Sequence, residues 1–309
     1  MGCNEGGARA SRQLDAAGHP GRLRRGAGEG GVGEVRAPRF ADRGELPGAD
    51  RSLRVTRFSV TSVSPVDELV AGIRSTIESA ATRPPTPDRK FNKDDEFVAY
   101  GLNVPAWRRI MREFRPRLRA LPLNERLDLA EALFAEGEGW LGHSAIYVLA
   151  LSVGELGSQH FERLDRMAGR FTGWSHVDDV CIAVIQPLLR AHRSETLALL
   201  ERWNGSANRW KRRASVVAFV RKIGESGEFT EDALRLCENL AFDRQDLVRK
   251  GVGWALKDLM RGDRERVLEY VKELRRRGVS STVTLYAIRD LDGRERQEVL
   301  AVRPNRTVV

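Results

Sequence analysis

From about Pro65 onward, apolar residues recur three and four positions apart in runs of about 11 to 17 residues, separated by short Gly, Asn or Asp turns. That period predicts helices near 65–81, 92–101, 105–118, 124–137, 143–153, 158–170, 175–191, 194–203, 208–222, 230–241, 245–261, 263–276 and 280–290. No stretch alternates well enough to predict a strand, so the expected fold class is all-α. Residues 1–64 read differently, being crowded with Gly, Arg, Ala and Pro and lacking either period. Such a segment cannot bury enough surface to offset its chain entropy, and a disordered tail is expected. It carries arginine but no lysine. A basic arm for DNA or an over-extended gene start would each account for that, and the second is favoured because GC-rich codons alone produce the bias. The expected domains are therefore a tail over 1–64 and a helical domain over 65–309.

Faint repetition runs through the helical part. Trp174 and Trp210 are 36 residues apart and Trp210 and Trp254 are 44 apart, intervals close to those of two-helix solenoid repeats. Stacked helical pairs make a superhelix with an extended concave wall, so the expected architecture is a HEAT-like α-α superhelical solenoid. If 175–191, 208–222 and 245–261 are inner helices, their early turns carry Asp178, Arg213 and Trp254 toward one groove.

Charge narrows the partners. Lys plus Arg number 52 against 43 Asp plus Glu, a net charge of +9, with a pI near 9.9, which favours anionic partners such as nucleic acid. Cys3, Cys181 and Cys237 are an odd number, and none has a partner at metal-site spacing. They read as thiols in a reducing compartment. No run approaches the roughly 18–20 apolar residues of a membrane helix, and the N-terminus lacks the apolar middle of a signal peptide. A cytoplasmic protein without a membrane partner is expected, and a monomer.

The chemistry concentrates on aromatic, acidic and basic positions. Trp174 and Asp178 are four apart, which on a helix puts an indole and a carboxylate on one face. Trp210, Trp203 and Trp107 read as packing residues and Trp140 as a loop or interface residue. His176 adjoins Ser175 without a Ser-His-Asp order, so it reads as a surface or capping histidine. His143 and His160 lack ligand spacing.

Four blocks, over most of residues 90–275, together resemble the AlkD-like DNA alkylation repair enzymes, DNA glycosylases built from HEAT-like repeats. Tyr100-Gly-Leu-Asn-Val-Pro-Ala-Trp-Arg-Arg109 is similar to the family's N-terminal block, and Trp174-x-x-x-Asp178 to its active-site tryptophan and aspartate. Ser206-Ala-Asn-Arg-Trp-Lys-Arg-Arg213 resembles the segment bearing the active-site arginine, and Leu247-Val-Arg-Lys-Gly-Val-Gly-Trp-Ala-Leu-Lys257 the block that supplies a further indole. The resemblance implies hydrolysis of the N-glycosidic bond of positively charged N3- or N7-alkylated purines in double-stranded DNA, without metal or organic cofactor. Asp178, Trp174, Arg213 and Trp254 would be the catalytic set, with Arg213 on the adjacent phosphate. Asn103, Arg108, Arg109, Arg212, Lys250 and Lys257 would contact DNA. The alternatives are a non-enzymatic HEAT-type scaffold, or a catalytically silent relative, binding DNA or protein on the same concave face.

Overall fold

A computed structural model describes residues 64–305; the expected disordered tail, apart from its last residue Ser64, lies outside them. Fifteen α-helices account for most of this span. They are α1 Pro65–Ala80, α2 Val104–Ala120, α3 Leu123–Ala135, α4 Gly139–Ser152 and α5 Phe161–Ala168, then α6 Trp174–Val180, α7 Gln186–Ala191, α8 Arg193–Asn204, α9 Arg209–Val217 and α10 Lys222–Glu225. The last five are α11 Thr230–Leu240, α12 Asp246–Gly262, α13 Arg264–Arg276, α14 Ser281–Ala287 and α15 Gly293–Ala301. Their starts follow capping chemistry: Ser64, Asn103, Asn208 and Asp292 each accept a first-turn backbone N–H on a side-chain oxygen. In α1 and α2 a proline also occupies the first turn, where its missing N–H costs nothing.

The helices form two layers. One row runs α2, α4, α6, α9, α12, α14, each packed on the next. The other contains α1, α3 and α5 at one end and α8, α11, α13 and α15 further along, packed against the first row through pairs such as α3 on α4 and α8 on α9. A continuous apolar seam lies between them, with Leu133, Val184, Leu200, Phe219, Leu256 and Leu274 wholly buried. Trp203, Trp210, Cys181 and Cys237 belong to it, in line with their expected packing role. Among the described residues no helix is long and apolar enough to cross a membrane.

Several expectations need correction. Residues 92–101 are not a helix; they are a loop ending in β2 Val98–Ala99, which pairs antiparallel with β1 Thr86–Pro87. The expected helix 208–222 stops at Val217, and the chain crosses Arg221 at φ 56° before α10 begins. The C-terminal helix α15 was not expected. Trp140 lies in the core of α4 and His176 is 2% exposed, so neither is a surface residue. Between α6 and α7 the rod widens into a π-type turn, Cys181–Ile185, with the Gln186 N–H donating to the Cys181 carbonyl. Pro187 explains the widening, since its ring would strike the carbonyl four residues back in a regular helix.

Candidate active site

Three consecutive helices of the first row, α6, α9 and α12, meet with α14 around a cavity of about 260 Å³ lined by Trp174, Asp178, Arg213, Leu247, Lys250, Trp254 and Tyr286. Each wall has a local cause. Trp174 opens α6, and its position is imposed from outside the helix: its indole N–H donates to the Lys90 carbonyl at 2.9 Å, its backbone N–H to the Phe91 carbonyl at 3.3 Å, and its ring leans on Phe91. Gly173 permits this approach, because a β-carbon there would stand 2.6 Å from the Phe97 ring. The loop mistaken for a helix is therefore what fixes the first indole.

The roll of α6 about its axis is fixed by a second set of bonds. His143 of α4 meets Asp179 through Nδ1 at 2.9 Å and Ser175 through Nε2 at 3.1 Å. With Nδ1 donating to the carboxylate, Nε2 accepts from the Ser175 hydroxyl. This Ser-His-Asp order sits against Phe97, Trp107 and Trp140. Ser175 and Asp179 stand one helical turn apart on α6, so a single ring holds two points of the helix and leaves Trp174 and Asp178 facing the cavity. Beside it His176 donates from Nε2 to the Gly139 carbonyl, and burial pushes its pKa down to about 3, so it stays neutral.

Asp178 Oδ1 accepts from Arg213 Nη2 at 2.8 Å, with the two side chains 14% and 6% exposed. No donor among the described residues reaches Oδ2, yet that oxygen is not sealed from solvent. One lone-pair face of the carboxylate is thus committed and the other opens into the cavity. Burial raises the Asp178 carboxyl above its ordinary range, against the opposing pull of Arg213 and Arg221.

Arg213, expected on a phosphate, is engaged within the protein. Its Nη1 donates to the Leu247 carbonyl at 2.6 Å and its Nη2 to Asp178, so it positions the acid and ties α9 to the start of α12. Arg212 is also corrected: it donates to Asp243 and to the carbonyls of Ser206 and Ala207. Lys257, 7% exposed, is held by Asp258 and Asp290. Neither is free to meet DNA. Lys250 lines the cavity and pairs with Asp246 one turn back. Asn103 spends its carbonyl oxygen as the cap of α2, while Arg108 and Arg109 are exposed on that helix and outside the cavity wall.

Two site residues escaped sequence reasoning. Arg221 stands beside Trp254, its guanidinium 6.0 Å from that ring, and its backbone N–H is anchored on Asp258 Oδ2 at 2.7 Å. Tyr286 of α14 completes the wall opposite Trp174 in sequence order. Its signal was Gly253: a β-carbon there would meet Tyr286 Cβ at 2.6 Å and the Val283 carbonyl at 2.8 Å, so the glycine before Trp254 is the contact point for the next helix.

Comparison with known proteins bears on the family and the fold. The family described as DNA alkylation repair enzyme matches residues 79–291, more than half of the chain. The chain belongs to that family. Among solved structures it is similar to a predicted DNA alkylation repair enzyme from Enterococcus faecalis, at 15% identity and a TM-score of 0.55, covering 74% of this chain and 94% of that one. At that identity the likeness shows a shared fold. A second similar structure is the Pseudomonas fluorescens alkylpurine DNA glycosylase AlkC bound to DNA containing an abasic site analog, at 14% identity and a TM-score of 0.44, covering 76% of this chain and 65% of that one. No curated protein matches. This member of the DNA alkylation repair family thus has an all-α helical-repeat fold, and its cavity gathers all four residues of the expected catalytic set.

Proposed function

We propose that the chain is a DNA glycosylase that hydrolyses the N-glycosidic bond of purines carrying a positive charge from N3- or N7-alkylation, in duplex DNA. The observation that carries this reading is the half-committed carboxylate: Asp178 is held on one oxygen by Arg213 while the other faces a cavity walled by Trp174 and Trp254. A scaffold protein has no use for an acid aimed into a groove that must receive phosphate.

The reaction suits such a wall. An alkylated purine already carries positive charge, so the C1′–N bond breaks with its electron pair neutralising the ring, and no strong general acid is required. Positive charge then develops on the deoxyribose, as in other glycosyl transfers. Asp178 Oδ2 stabilises that charge through space and accepts a proton from the water whose oxygen bonds to C1′. The two indole faces favour a cation by roughly 0.5–2 kcal/mol each, depending on desolvation. Arg213 orients the carboxylate and Lys250 stands at the edge for a flanking phosphate. A cavity of about 260 Å³ is small beside usual ligand pockets of roughly 300–1,000 Å³, which suits contact with the sugar and ring edge rather than engulfment of an extruded nucleotide.

Incubation of the purified protein with methylated duplex DNA should release N7- or N3-methylpurine, measured chromatographically. Asp178→Asn should lose release by about a hundredfold or more while retaining binding to the same duplex. Equal release by the variant would refute the mechanism, and absence of release by the wild type would leave a DNA-binding relative without activity.

A further inference from the structure

Many exposed arginines of this protein are paired, although Arg170, Arg190, Arg221 and Arg244, none of them in a row with another, meet no carboxylate. Arg193, Arg202, Arg261, Arg264, Arg266 and Arg277 are all exposed, and each meets a carboxylate. Helix α2 is different. It carries Arg108, Arg109, Arg112, Arg115, Arg117 and Arg119 with Glu113 as its one acid, and none of these arginines has a carboxylate or hydrogen-bond partner among the described residues.

At about 100° per residue, Arg108, Arg112, Arg115 and Arg119 fall within an arc of roughly 60°, one above the other. All four are exposed, while Met111 and Leu118 are buried along the adjoining flank of the helix and Ile110 on its far side. Over the eleven steps from Arg108 to Arg119 the stripe is about 16 Å long. Glu113 points well away from it. Four like charges at these intervals repel one another, so the helix bears an electrostatic cost that a local design would have relieved with an acid at i+4.

The stripe shares a row with the cavity. α2 packs on α4 and α4 packs on α6, and the join runs through specific bonds. Trp107, one residue before the stripe, donates from its indole to Ser144 Oγ at 3.0 Å and packs against His143, the ring that holds α6. Neighbouring helix axes lie about 8–10 Å apart, which places the stripe roughly 16–20 Å from the axis of α6. Along B-DNA, at about 3.4 Å per base pair, that is near five base pairs.

We propose that this arginine stripe of α2 is a second DNA-contact surface, binding phosphates of the duplex that flanks the lesion about half a turn away. The inference rests on the glycosylase reading for its substrate, but concerns a surface outside the cavity. Its partner is recognised by spacing and charge: a rigid row of guanidinium groups meets a regular polyanion, without reading sequence.

The test uses the full chain and two 20-base-pair duplexes, methylated and unmodified, with binding followed by fluorescence anisotropy between about 50 and 200 mM salt. Replacing Arg108, Arg112, Arg115 and Arg119 together by Gln should weaken binding at least tenfold to both duplexes and flatten the salt dependence by about 2–4 in log–log slope. The four Arg→Lys replacements should keep the wild-type slope, which a merely structural role would not predict, and Arg108→Gln with Arg112→Gln should give about half the change. A Gln quadruple variant of native helicity with the wild-type slope would overturn the proposal and leave the stripe as a solvated face or one for another anionic partner. Base release by the wild type, run alongside, separates the two readings. Release with no slope change sinks the stripe alone, and a slope change without release sinks the glycosylase alone.

Discussion

Two buried acid–base pairs stand on neighbouring repeats, and they end differently. Asp178 meets Arg213 with its second oxygen open to the cavity, whereas Asp258, 1% exposed, has Lys257 on Oδ1 and the Arg221 backbone N–H on Oδ2. The chemistry of the residues is nearly the same; what separates them is the number of lone pairs the protein has already filled. A buried carboxylate with both oxygens engaged stabilises structure and presents no open oxygen to a substrate. One held on a single side keeps unfilled attraction for a cation.

That contrast can be broken most severely at Asp258. Asp258→Ala should lower stability by about 3–5 kcal/mol, because Lys257 loses a buried partner and Arg221, at positive φ, loses the anchor of its N–H. Denaturant melts would register it, and a loss under about 1 kcal/mol would contradict the structural assignment. Asp178→Asn should act the other way round, costing base release rather than fold. Arg213→Gln is a finer probe. Burial already holds the Asp178 carboxyl above its ordinary value. Release needs the ionised form, so it should rise as pH climbs through that raised value. Stability linked to the same group runs oppositely: it is greatest at acid pH and declines as pH rises from the ordinary carboxylate range to the raised one. Without Arg213, whose charge pulls the carboxyl down, the acid limb of the rate profile should move to still higher pH, and an unmoved limb would show that the limb belongs to another group. Trp254→Leu should have the smallest effect, roughly two- to thirtyfold slower release at saturating DNA if one indole face contributes 0.5–2 kcal/mol. Unchanged release would reduce Trp254 to a packing residue.

Much of this was readable from spacing alone, because helices with strong periodic stripes declare their inner faces. The four residues Trp174, Asp178, Arg213 and Trp254 were placed on one wall from that period and the family resemblance, and the cavity gathers them. Errors arose wherever the deciding partner was remote. Asp243 lies 31 residues from Arg212 and Asp290 lies 33 from Lys257, so no local pattern showed that those cations were already engaged. The segment 92–101 was misread because its two buried apolar residues, Phe97 and Ala99, are spaced by two within a mostly polar stretch. The break after Val217 was hidden inside the apolar run Val216-Val-Ala-Phe-Val220, which buries throughout whether helical or not. Helix α15 buries only Val299 and so presents no stripe to detect.

The π-type turn between α6 and α7 has a consequence for how the rod could change over time. One surplus residue in a regular helix would twist everything beyond it by about 100°, and here the widened turn absorbs that twist. Upstream, Asp178 looks into the cavity; downstream, Gln186 still reaches the Ala218 and Val220 carbonyls that close the frayed end of α9. Chemistry and scaffolding therefore occupy the same rod in independent rotational phases. Removing one residue from 181–185 would bring them back into a common phase, and one of the two faces would have to turn from its partners.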